Sequence, residues 1–134
     1  MAEDEAHEVH SGDGYAVGNI DALGHGGGFR KIRQALGVQA LGINAIVIPA
    51  EFAGRRHYHY EQEETYFIHS GHAELEFGDG AVHRLGPGGI ARVDAATVRR
   101  IRNVGDGDLV YVAVGAKDGY VEHDGHLLPS EETA

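Results

Sequence analysis

Between residues 38 and 114 the chain is cut into short β-favouring segments, each closed by Gly, Pro, Asn or Asp. This punctuation constrains the fold more than any other feature. Residues 38–48 alternate imperfectly and stop at Pro49, and residues 65–68 are β-branched or aromatic and stop at Gly71. Ala73, Leu75 and Phe77 alternate with Glu74 and Glu76 before the hairpin signal Gly78-Asp79-Gly80. Residues 82–85 precede Gly86-Pro87-Gly88-Gly89, and the segments 90–93, 98–104 and 109–114 follow. Short strands with turn signals roughly every 8–12 residues specify an all-β sandwich or barrel. Upstream, Phe29, Ile32 and Leu36 fall at helical spacing before Gly37, which predicts a short N-terminal helix closed by a left-handed glycine.

A chain of 134 residues fits one domain. Residues 1–14 are acidic or small and are expected to be a flexible N-terminus unless they pair with a sheet edge. The domain is expected over 15–120, with its core over 38–114 and a polar tail over 121–134. With 21 acidic and 11 basic side chains the net charge is −10, which argues against nucleic acid or an anionic membrane as partner. The absence of cysteine excludes disulfides, thiolate metal sites and cysteine nucleophiles. The longest apolar run, 109–114, is far too short for a membrane span, and the acidic N-terminus does not read as a signal peptide. A cytoplasmic location is therefore expected. Gly24-His25-Gly26-Gly27-Gly28 has no Lys-Ser/Thr after it and reads as a loop, not a phosphate cradle.

The chemistry is concentrated in Arg55-Arg56-His57-Tyr58-His59-Tyr60-Glu61-Gln62-Glu63-Glu64. On a strand, His57 and His59 point to the same face, so both imidazoles can grip one ion. Glu64, reached after a short turn, opens the next strand and can add an anionic oxygen. Two histidines and a carboxylate leave the opposite face of an ion open, an arrangement that suits non-haem Fe(II) and leaves Mn, Ni, Zn and Cu as further candidates. Tyr66 and Ile68 share parity with Glu64 and should face the interior, with Tyr66 forming a pocket wall. Tyr58 should lie outside. His69 and His72 read as surface histidines, and Arg55, Arg56, Arg100 and Arg102 as a solvated face. His7, His10, His25, His83, His123 and His126 form no pattern.

His57-Tyr58-His59, four residues, Glu64, six residues and Gly71 resemble the first motif of the cupin family, and the distance to Gly71 selects Glu64 over Glu63. The motif's leading glycine would fall at position 51, which is Glu51 here. The second motif is matched in part, by Gly88 and the closing Asn103, but Asp94, Ala96 and Arg99 stand where the family has Pro, Gly and a fourth metal-binding His. The resemblance covers roughly residues 38–114, as in small single-domain cupins. It implies a double-stranded β-helix (jelly roll), one divalent transition metal, a small-molecule ligand and a homodimer formed through edge strands.

Arg99 is the informative departure. A guanidinium is not a metal ligand. Two neutral His and Glu64 leave a divalent ion with a net positive charge, and a second cation about 5 Å away costs roughly 3 kcal/mol at an effective dielectric of 20. Either Arg99 swings out, or an anion lies between it and the ion, or no metal binds. Arg99 is accordingly read as substrate-binding, together with Tyr66, or as structural, with a salt bridge to Asp94 or Glu63 as one option. Two functional readings follow. One is a metal-dependent enzyme of oxygenase or isomerase type acting on a small anionic organic molecule. The other is a non-catalytic small-molecule-binding module, with or without metal.

Overall fold

The computed structural model describes residues 9–129. Its strands are β1 (His10–Gly12), β2 (Tyr15–Val17), β3 (Gly28–Arg30), β4 (Gly42–Ile48), β5 (His57–His59) and β6 (Glu63–Ser70). They continue with β7 (Ala73–Phe77), β8 (Val82–Leu85), β9 (Ile90–Val93), β10 (Arg99–Asn103), β11 (Leu109–Ala116) and β12 (Gly125–Leu127). Among the described residues one α-helix, α1 (Ile32–Leu36), precedes β4, with a 3-10 turn at Ile20–Ala22. Two five-stranded sheets form the jelly roll, ordered β12-β5-β10-β7-β8 and β3-β4-β11-β6-β9, and β1-β2 is a separate hairpin. The strand pairs are antiparallel.

Alternation places the core between the two sheets. Tyr66 and Ile68 on β6 turn inward while Phe67 stays 44 % exposed, which is the period-two pattern of a half-buried strand. Ile68, Leu75, Val93, Ile101, Leu109 and Tyr111 are buried together with Tyr66. Asn103 closes β10 from inside the protein. Its amide donates to the carbonyls of Ile48 and Gly107, both at 2.8 Å, and its oxygen accepts from the Gly105 N–H. Those bonds tie the end of β10 to the end of β4.

Several elements differ from the sequence-based expectation. The helix begins only at Ile32, because Gly28–Arg30 pairs with Ala45–Val47 at the free edge of β4 and takes Phe29 with it. An available sheet edge outweighs weak helical spacing. Strand β4 begins at Gly42, not residue 38, since α1 ends at Gly37 (φ 71°) and the Val38 N–H still closes the helix on Arg33. Residues expected to be mobile or tail-like contribute β1 and β12; the remainder of the acidic N-terminus (1–8, with His7) and of the tail (130–134) lies outside the described residues. Glu51, where the family motif has glycine, adopts a left-handed φ of 74°, so the turn keeps the conformation without the residue that favours it.

Candidate metal centre

Strand β5 carries both histidines on one face, with ring centroids 5.5 Å apart. The next strand brings Glu64 beneath them. Glu64 Oε1 lies 3.2 Å from His59 Nε2 and 3.8 Å from His57 Nε2, and one ligand atom from each residue falls within 4.8 Å of the others. Ligands bound at about 2.1 Å stand roughly 3.0–3.4 Å apart when adjacent on an octahedral or tetrahedral ion, so the Glu64–His59 spacing suits a transition metal and the wider spacing to His57 would close on one. The far ring nitrogens have partners suited to keeping Nε2 free. His57 Nδ1 is 3.2 Å from the Arg55 carbonyl, and His59 Nδ1 is 3.4 Å from Asp124 Oδ2.

Arg99 sits behind the carboxylate. Only 1 % exposed, it donates from Nη2 to Glu64 Oε1 at 2.6 Å and from Nε to the Tyr66 hydroxyl at 3.1 Å. Its Nη1 donates to the carbonyls of Thr97 at 2.7 Å and Ala95 at 3.1 Å, with Asp94 at 3.4 Å. Its salt-bridge partner is thus Glu64, neither Asp94 nor Glu63. The Tyr66 hydroxyl donates to Glu64 Oε1 at 2.7 Å. Both bonds fall on Oε1, so the lone pairs left for an ion are those of Oε2. Hydrogen bonding of this kind commonly supports ligating carboxylates.

Burial alone would raise the Glu64 pKa. The nearby His57 and His59 rings and the hydrogen bond from the Tyr66 hydroxyl outweigh it and hold the carboxyl well below the usual range. Burial, followed by the charge of Glu64, drives the Tyr66 phenol well above its ordinary value and keeps it a neutral donor. Arg99 is raised as well, since its bonds to Tyr66 and Glu64 overcome the effect of burial.

Above the three residues opens a cavity of about 780 Å³. Ile46, Ile48, Ile101, Ala113 and Val121 give it apolar walls, and His57, His59, Glu64 and Tyr66 line it. Arg99 is not among its lining residues; it meets the cavity only through Glu64 and Tyr66. Asp124 lines the cavity too, from within the stretch expected to be a polar tail. The missed signal was the β-compatible segment Gly125–Leu127, too short and too polar to read as a strand. Tyr58 is half-buried in tilted contact with Tyr60 and His126, and His69 lies exposed on β6.

The sequence profile described as "Cupin domain" matches residues 45–115, more than half of the chain. No curated protein matches significantly. Among solved structures, the chain is similar to DMSP lyase DddQ from Ruegeria pomeroyi, with 26% identity and a TM-score of 0.60 over 69% of this chain and 45% of that one. It is similar to a sugar phosphate isomerase from Silicibacter pomeroyi, with 23% identity and a TM-score of 0.61 over 78% and 60%. A third likeness is to an uncharacterized double-stranded β-helix protein from Klebsiella pneumoniae, with 19% identity and a TM-score of 0.68 over 85% and 97%. The chain spans less than two thirds of the length of the first two. The last two likenesses show a shared fold.

Proposed function

The chain belongs to the cupin family, and from that premise we propose that it is a metal-dependent enzyme in which His57, His59 and Glu64 hold one divalent first-row transition metal and a small anionic organic molecule occupies the cavity above them. The observation that carries this reading is the convergence of those three side chains at one cavity wall. An ion there would act as a Lewis acid toward an anionic oxygen of the ligand. The protein's own groups prepare the site. Arg99 and Tyr66 keep Glu64 ionised and oriented. The ion's two charges with Arg99 outweigh Glu64 and Asp124 by about one unit, which favours a carboxylate or phosphate as the bound group. The apolar walls exclude water from the rest of the ligand.

The reaction class is of isomerase or oxygenase type. Likeness to a protein named as a lyase supports non-oxidative chemistry over oxygenation. A second reading, a binding module without metal, is favoured by one observation: Glu64 is already satisfied by Arg99 and Tyr66.

Elemental analysis of untagged protein, purified without added metal, separates the two. We expect about one transition-metal ion per chain and its loss in a His57→Ala/His59→Ala double variant that still folds. Undiminished metal in that variant refutes the site. A wild type that takes up no metal on reloading establishes the binding-module reading instead.

A further inference from the structure

We propose that Asp124, which lies outside the matched cupin region, is a positioning residue for the metal site: its carboxylate holds a proton on His59 Nδ1, which leaves Nε2 to an ion shared with His57 and Glu64. This inference rests on the metal-site reading above.

Strand β5 carries two of the three ligands but is weakly anchored on one side. It pairs with β10 at a single position, Arg99 opposite His57. On its other side β12 pairs with all of it, setting Gly125 opposite His59, His126 opposite Tyr58 and Leu127 opposite His57. Gly125 permits this approach, since a Cβ there would stand 3.3 Å from His59 Cε1. Beyond the ladder, the Leu128 N–H donates to the Arg56 carbonyl at 3.0 Å and Arg55 donates to the Leu128 carbonyl at 2.6 Å. The ligand-bearing strand is therefore held on this side by residues 124–128, while on the other the His59 N–H donates to the Ala95 carbonyl at 2.8 Å.

Asp124 begins this segment and is itself fixed. It is 5 % exposed, and its Oδ2 accepts from the backbone N–H of Gln62 at 2.7 Å and of Glu61 at 3.0 Å, in the turn between His59 and Glu64. The same oxygen stands 3.4 Å from His59 Nδ1. That nitrogen is buried and has no aligned hydrogen bond, so a closing movement of a few tenths of an ångström toward Asp124 would satisfy it. One carboxylate thus touches the turn joining the two ligand strands and the back of one ligand. A ligating histidine typically donates its other ring N–H to a carboxylate or carbonyl in this way. His57 has a carbonyl, from Arg55, and His59 has Asp124.

The test uses Asp124→Asn in the full chain. The asparagine oxygen still accepts from Gln62, but the amide no longer attracts the His59 proton. Co(II) affinity, measured against a competing chelator, should fall on the order of 10- to 100-fold, while the metal-free protein melts near the wild-type temperature. In metal-free protein, imidazole nitrogen NMR should show a proton on His59 Nδ1 in the wild type and its partial loss from that nitrogen in the variant, with His57 unchanged. If either the affinity or the His59 Nδ1 protonation fails to move, the proposal is overturned. Wild-type NMR decides independently should the variant misfold, because a His59 protonated at Nε2 rather than Nδ1 contradicts the proposal outright. If the wild type binds no Co(II), the metal reading fails, and the Nδ1 protonation in wild type and variant still supports or refutes Asp124 as the partner of His59.

Discussion

Arg99 Nη2 lies 2.6 Å from Glu64 Oε1, so a buried cation stands directly behind the carboxylate of the candidate metal site. The cupin pattern places a fourth metal-binding histidine at this position. The chain has instead a charge that orients one ligand and opposes the ion.

Arg99→His should therefore tighten metal binding. The change removes a cation worth roughly 3 kcal/mol of repulsion at 5 Å and a dielectric of 20, and it adds an imidazole donor. Chelator competition should show at least a tenfold gain in affinity, equal to about 1.4 kcal/mol. The Co(II) absorption spectrum should report a changed coordination number. Unaltered affinity and spectrum would mean that Arg99 does not act on the ion.

Arg99→Met should destabilise the metal-free protein by about 3–5 kcal/mol, because it leaves a buried carboxylate without its cation. Adding Glu64→Gln should restore part of that loss by removing the stranded charge. Denaturant titration of the two single variants and the double variant measures the coupling, and strict additivity would count against the pair as described.

Glu51→Gly should raise stability by about 0.5–1 kcal/mol. The strain of a left-handed side-chain-bearing residue, roughly 1–2 kcal/mol, exceeds the added flexibility of glycine in the unfolded chain. Glu51 holds φ at 74° and stands where the family motif has glycine. A drop in melting temperature would show that the Glu51 side chain contributes something the backbone argument omits.

Alkaline pH should destabilise the fold through Tyr111. Burial raises its pKa first, followed by the Glu64 charge, with Arg99 acting in the opposite sense; Tyr66 packs edge-on at 5.6 Å. The folded pKa lies above the unfolded value near 10, so the native state retains a proton that the unfolded chain has lost. The contribution is fully present below about pH 10 and declines by about 1.4 kcal/mol per pH unit up to the folded pKa. Tyr111→Phe should flatten the stability curve in that window. An unchanged slope would contradict the assignment.

A homodimer is expected in solution. Phe67 and Ile90 pair across β6 and β9 on the outer face of one sheet and are 44 % and 71 % exposed, beside the open edge of β9. Light scattering should give twice the chain mass of 14.3 kDa at micromolar concentration, and Ile90→Lys should reduce it to the monomer value. A monomeric wild type would refute this.

Much of the molecule could be read without coordinates. Period-two alternation located β7, flanking turn residues delimited β8 and β9, and the spacing of His57 and His59 put both imidazoles on one face, because strand parity is a property of consecutive residues. The glycine end of α1 was visible for the same reason, and so was the inward face of Tyr66. Tertiary structure alone paired Arg99 with a carboxylate 35 positions away, drew Phe29 out of the helix onto an open edge, and set Asp124 beneath the turn at Glu61 and Gln62. Each of those contacts depends on the register between strands remote in sequence. Local periodicity determines which way a side chain faces, whereas the assembled sheets determine what it meets there.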